Sequence, residues 1–194
     1  MTRPKPSLGR RGEAVRAAVL DATLAELVEH GVDGVSVAAV AASAGVHETS
    51  VYRRWRTRED LIVDALLERS AAEIPVPDTG SVRGDLVELC RLVIGYLSVP
   101  LGRALVRMAA LNVEDESLAR GRADFLASRL ATMRVVVDRA VERGELPDRS
   151  DARLVLEMLV APLHMRTILT GEPLTATLPE QLVDVLLDGL RPRA

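Results

Sequence analysis

The sequence predicts an all-α protein of about nine helices: a small three-helix helix-turn-helix domain at the N-terminus, then a larger helical domain. Three observations carry that prediction. Ala, Val and Leu dominate a composition that is 48% hydrophobic but only 2% aromatic, which suits packed helices. Apolar residues recur at i, i+3 and i+4 along most of the chain, and no segment alternates convincingly as a strand does. Residues 36–55, SVAAVAASAGVHETSVYRRW, read as two short helices broken by Ala44-Gly45-Val46. That is the pattern of a supporting helix, a tight turn containing Gly, and a helix that fills a DNA major groove.

Taken in order, residues 1–9 hold two prolines and a glycine without periodicity and are expected to form a flexible arm. The first helix is predicted from about Arg11 to His30, with Ala17, Leu20, Leu24, Leu27 and Val28 as its buried stripe. Gly31 suits the left-handed position after a helix end. Ser36 caps the second helix, whose Val37, Val40 and Ala41 face inward. Thr57 and Asp60 form a T-x-x-D capping pattern for the fourth, with Leu61, Ala65 and Leu66 on its buried side. These elements define a first domain over residues 10–72, and the segment 75–80, PVPDTG, is the clearest boundary.

A second domain over residues 81–194 reads helical throughout. A helix from Ser81 to Leu97 carries Leu86, Leu89, Val93 and Ile94, and Pro100 interrupts it. A shorter apolar helix is predicted from Leu101 to Asn112, and a long amphipathic one from Asp115 to Arg143, ended by Gly144 and Pro147. The helix from Asp151 to Leu169 is apolar nearly all round, which predicts burial on all sides and a partner chain as cover. It stops at Thr170-Gly171-Glu172-Pro173, and Pro179 opens a last helix reaching Leu190.

The helix-turn-helix and its flanks resemble the N-terminal domain of TetR-type transcriptional repressors. The resemblance rests on Gly31, Ser36, Ala44-Gly45-Val46-His47, Tyr52, Trp55 and Thr57-Arg58-Glu59, in order and at the family's spacing, over the first third of the chain. It implies a homodimeric DNA-binding regulator, repressor more than activator, released from its operator by a small molecule. It also implies nine helices, a ligand pocket in the C-terminal domain, and a dimer interface built from the last two large helices, here residues 151–169 and 179–190. The fourth helix becomes the lever between ligand and DNA. The alternative reading is a helical ligand-binding or interaction protein whose helix-turn-helix has lost DNA affinity, with His47 and a neutral N-terminal domain in its favour.

Candidate DNA-binding residues follow from their chemistry. Thr49 and Ser50 offer hydroxyls to base edges and Thr49 a methyl for thymine, Glu48 an acceptor for cytosine, and Arg53 a donor to guanine or phosphate. Tyr52, Arg54 and Arg58 match positions where the family contacts the DNA backbone. His47 stands where the family has a capping Ser; His is the poorer cap, so Thr49 is expected to take that role in a helix that starts later. Val51 and Trp55 belong to the domain core, and Val46 packs at the turn. Val28 stands where the family often has Phe, a change of packing only.

Net charge is −3, but distribution matters more than the sum. Residues 1–70 hold ten basic and ten acidic side chains, the basic ones clustering as Arg3, Lys5, Arg10 and Arg11 and as Arg53, Arg54, Arg56 and Arg58. In the second domain, Tyr96, Arg107, Asn112, His164 and Arg166 are candidate polar groups of the ligand pocket, against the plainer reading of hydrogen-bonded core residues. Met108, Met133, Met158 and Met165 are either its adaptable wall or ordinary core. A single Cys90 excludes an intrachain disulfide and a cysteine-built zinc site. Three histidines with no H-E-x-x-H, no phosphate loop and no G-x-S-x-G assemble no catalytic set, and no cofactor or metal is implied. No signal peptide or bilayer-length apolar run is evident, so a soluble cytoplasmic protein is expected.

Overall fold

The computed structural model describes residues 10–99, 102, 103, 106 and 116–190. Its helices are α1 (Arg10–Gly34), α2 (Val37–Ser43), α3 (Glu48–Tyr52), α4 (Arg58–Glu73), α5 (Val82–Ser98), α6 (Glu116–Glu142), α7 (Ala152–Met165) and α8 (Leu178–Leu190). A π-helical turn, Arg166–Thr170, continues α7. The described residues contain no strand, and none of their helices is long and apolar enough to cross a membrane. The expected arm 1–9 and most of the expected helix 101–112 lie outside the described residues, as do the candidates Arg107 and Asn112 and the methionine Met108.

The chain divides into two compact units between Glu68 and Arg69, inside α4. In the first unit, α1 packs on α2, and α2 on α3. The buried face of α1 is Val19, Leu20, Ala22, Thr23, Leu24 and Leu27. Two expectations fail here: Ala17 is exposed, and Val28 is 52% exposed. Ala and Val are scattered around the whole of this helix, so spacing alone left the stripe's edges open. Gly31 adopts φ 71, the left-handed value expected of it, and α1 is kinked there before running on to Gly34. Thr23 is fully buried, and its hydroxyl donates to Val19 O at 2.8 Å, so that hydroxyl is not stranded. Leu61, Ile62 and Ala65 bury the inner side of α4, while Leu66 is half-buried.

In the second unit α5 packs against α6, α7 and α8. Its core holds Leu86, Leu89, Cys90, Val93, Val136, Val137, Leu159, Leu163 and Val183. The segment 74–80 is pinned within this unit: Arg129 donates to Ile74 O at 2.9 Å and Arg139 to Pro77 O at 3.2 Å. Asp151 caps α7 by accepting from the N–H groups of Arg153 and Leu154. The apolar helix α7 resolves into two faces. Val155, Leu156, Leu159 and Leu163 are buried, whereas Leu154, Met158 and Met165 are each more than half exposed.

Candidate nucleic-acid interface

The local chemistry of the helix-turn-helix explains its shape. Ser36, in extended conformation, caps α2 by accepting from Ala39 N–H at 3.3 Å. At the other end, Val46 N–H donates to Ala41 O at 2.9 Å and Gly45 N–H to Ala42 O at 3.2 Å. That pair of bonds is a Schellman motif, which requires a left-handed residue after the C-cap. Gly45 supplies it with φ 66. Val46 then passes half-buried into His47, whose extended backbone is the N-cap of α3.

The expectation that Thr49 caps a later-starting helix is corrected. The helix starts at Glu48, His47 makes no side-chain capping bond, and Ser50 N–H donates to the His47 carbonyl at 2.8 Å. The Ser50 N–H thus finds its acceptor in the His47 carbonyl rather than in a side chain, and Thr49 is exposed.

α3 presents two faces. Val51 and, just past its end, Trp55 are buried. His47, Glu48, Thr49, Tyr52, Arg53 and Arg56 are exposed, Tyr52 by 48% of its surface, and Ser50 is half-buried beside them. Thus short hydroxyl side chains, one acid and one phenol share the outer side of one short helix with the Arg53 guanidinium at its C-cap. Arg54 is half-buried, with its guanidinium carbon 5.3 Å from the centroid of the Trp55 ring. Arg58 is committed within the unit, donating to Asp33 O at 3.0 Å and pairing with Glu59 at 3.0 Å.

The start of α4 is fixed reciprocally, as the T-x-x-D pattern predicts: Thr57 N–H donates to Asp60 at 3.2 Å, and Asp60 N–H to the Thr57 hydroxyl at 3.0 Å. Behind it lies a network that the sequence did not disclose. The Trp55 indole N–H donates to Asp64 Oδ2 at 2.9 Å, and Arg16 donates to Asp64 Oδ1 at 3.0 Å and pairs with Glu68. Only the general need of a buried indole for an acceptor hinted at it.

Among the described residues, the second-unit candidates Tyr96, His164 and Arg166 stand in different surroundings. Tyr96 is buried, and burial pushes its phenol up to about 12. The half-buried guanidinium of Arg129 is near enough to act on that phenol, and burial lowers its own pKa. His164 is half-buried, and loss of solvent lowers its pKa, favouring the neutral imidazole. Arg166 instead closes its own loop, donating to Pro173 O at 2.9 Å and lying 3.6 Å from Glu172. Of the methionines expected as pocket wall or core, Met133 is buried, whereas Met158 and Met165 lie on the exposed face of α7.

Known proteins place this architecture. Residues 19–65 match the family model of bacterial regulatory proteins, tetR family. Residues 76–186 match the model of the tetracyclin repressor-like C-terminal domain. The HTH-type transcriptional regulator AqdR of Rhodococcus erythropolis is 38% identical over 192 residues, covering 97% of this chain and 93% of that protein. The DNA-binding transcriptional repressor TetR of Mycobacteroides abscessus is 34% identical over 189 residues, covering 95% and 98%. Among solved structures, the TetR family transcription regulator SCO0332 superposes with a TM-score of 0.77 at 28% identity, covering 92% of this chain and 99% of that one. With both units matched and relatives similar over nearly their whole length, the chain belongs to the tetR family of bacterial regulatory proteins, DNA-binding transcriptional regulators.

Proposed function

We propose that this regulator is a cytoplasmic repressor that binds a palindromic operator as a homodimer, one α3 per half-site, and leaves it when a small molecule binds the second unit. The observation that carries the reading is the division of α3 into a buried face, Val51 with Trp55, and an outer face of Glu48, Thr49, Ser50, Tyr52 and Arg53. In this reading Thr49, Ser50 and Arg53 meet base edges, and Glu48 accepts from cytosine. His47, Tyr52 and Arg54 hold the backbone, while Arg58, bonded to Asp33 O and Glu59, braces the start of α4 beside them.

The exposed apolar row Leu154, Met158 and Met165 on α7, with Val185 on α8, supports dimerisation through these two helices. Two recognition helices must then lie roughly 34–36 Å apart to enter successive major grooves. Buried Tyr96, with Arg129 and His164, is proposed as the polar side of the effector site. An effector favouring another subunit arrangement weakens operator binding by its differential affinity, typically about 1–3 kcal/mol, with α4 as the lever.

The test is a footprint on DNA flanking the coding sequence, with excess competitor, followed by selection of duplexes from a random pool. A protected palindrome, or a palindromic consensus from the pool, supports the reading. Binding that competitor erases, with no consensus recovered, overturns it in favour of a helical ligand-binding protein.

A further inference from the structure

We propose that Asp64 is a positioning residue for DNA recognition, acting through the Trp55 indole on the end of α3 and on the Arg54 guanidinium beside it. The inference rests on the reading that α3 contacts DNA.

α3 spans five residues and has no side-chain cap. A helix that short does not hold itself, so its direction is set by what anchors its two ends. The Schellman turn at Gly45 sets the entry. The exit is set by Val51 and Trp55, both in the core. Apolar burial fixes the depth of an indole but not its rotation; the N–H partner does that.

That partner is a carboxylate with each oxygen assigned to a different element. Asp64 Oδ2 accepts from Trp55 at 2.9 Å, and Oδ1 accepts from Arg16 of α1 at 3.0 Å. Arg16 also pairs with Glu68, one turn further along α4. The carboxylate is therefore aimed by α1 before it meets the indole. On the ring's face sits Arg54, at 5.3 Å, within cation–π range. An arginine side chain otherwise loses rotamer freedom when it grips a phosphate, so a guanidinium already held on a fixed ring loses less. The chain Arg16, Asp64, Trp55, Arg54 thus runs from the back of the domain to its DNA-facing side.

The experiment uses the full chain with D64N, W55F and the double variant. The probe is a duplex selected from a random pool by the wild type, measured against bulk competitor DNA. Trp55 is the only tryptophan, so intrinsic fluorescence and acrylamide quenching report on it alone. D64N should raise quenching and shift the emission of the free protein. D64N and W55F should each weaken specific binding roughly tenfold, the scale of a lost hydrogen bond to a charged group. The double variant should fall no further than the worse single one. Unfolding midpoints separate this from plain destabilisation, since a merely structural role lowers the midpoint and leaves specific affinity intact.

Unchanged affinity in D64N, additive losses in the double variant, or an unaltered Trp55 signal overturns the proposal. If D64N does not fold, W55F, which replaces the indole by a smaller phenyl ring without the N–H, decides by its specific affinity set against its own unfolding midpoint. If the wild type selects no duplex, the DNA reading and the proposal both fall. The fluorescence change then still shows whether Asp64 anchors Trp55, so the two failures are distinguishable.

Discussion

Asp85 and Thr79 are joined twice: the fully buried Asp85 carboxylate accepts from the Thr79 backbone N–H at 2.5 Å and from its hydroxyl at 2.8 Å. Its second oxygen lies 3.5 Å from Arg143 at the end of α6. A buried acid is tolerated only when its lone pairs are used, and here they tie the loop before α5 to the far end of α6. Replacing it strands the Thr79 N–H, leaves the Thr79 hydroxyl only a 3.4 Å contact with Ser81 O and takes one of two carboxylate partners from Arg143, which keeps Glu145. D85A is expected to lose about 2–4 kcal/mol of unfolding free energy, and T79A about 1 kcal/mol. Urea unfolding checks this; a D85A loss below about 0.5 kcal/mol would mean the bonds contribute nothing net.

Gly45 tests the turn. A Cβ there would meet nothing within 4 Å, so crowding is not the obstacle. The left-handed backbone at φ 66 is. G45A should therefore cost about 1–2 kcal/mol, the price of that conformation for an L side chain. G34A carries no positive φ but would bring a Cβ to 2.8 Å from His30 Cβ, a cost of a different kind. A G45A protein as stable as wild type, by chemical denaturation, would show that the turn relaxes to another geometry.

How much of this was legible beforehand depended on range. Features decided within a few residues were readable: the Ser36 cap, the Thr57–Asp60 pair, the glycine at the turn and the Asp151 start of α7. Each is a local hydrogen bond or a backbone angle demanded by the next residue. Features decided by distant partners were not. Arg16 and Asp64 stand 48 positions apart, and nothing in either neighbourhood marks them as a pair. Asp85 reads as an ordinary acid in a first helical turn, yet it is fully buried. Met158 and Met165 read as pocket wall or core on a helix expected to need a partner's cover, because spacing cannot say which apolar face its own chain leaves open. The interface was half visible: Thr49, Tyr52 and Arg53 stand exposed on α3, but the private partners of Arg58 came only with the fold.

The two faces of α7 predict opposite outcomes. L154E or M158E, on the exposed row, should dissociate the proposed dimer in sedimentation while leaving helical content unchanged. L159A, on the buried side, should lower stability by about 2–5 kcal/mol instead. A glutamate variant that remains dimeric places the interface elsewhere.

Glu145 predicts an acid limb. Its carboxyl is held below the usual value of 4.5, first by the hydrogen bond from Arg143 and then by the Val82 N–H. A depressed folded pKa contributes stability that is fully present above the unfolded value and is lost as pH falls through the folded one. Thermal midpoints of the wild type should therefore drop below pH 4.5 more steeply than those of E145Q, and the two should run parallel above it. Parallel curves across the acid range would remove Glu145 from the account.

Whether the outer face of α3 reads sequence is decided by binding to every single-base-pair variant of the selected duplex. T49A or R53A should relax discrimination at one symmetric pair of positions, each good contact being worth about 1–3 kcal/mol. R54A should weaken all variants alike and lower the salt slope by about 1. If T49A, S50A and R53A all leave discrimination as it was, α3 is not the reading element, and the account is wrong at its centre.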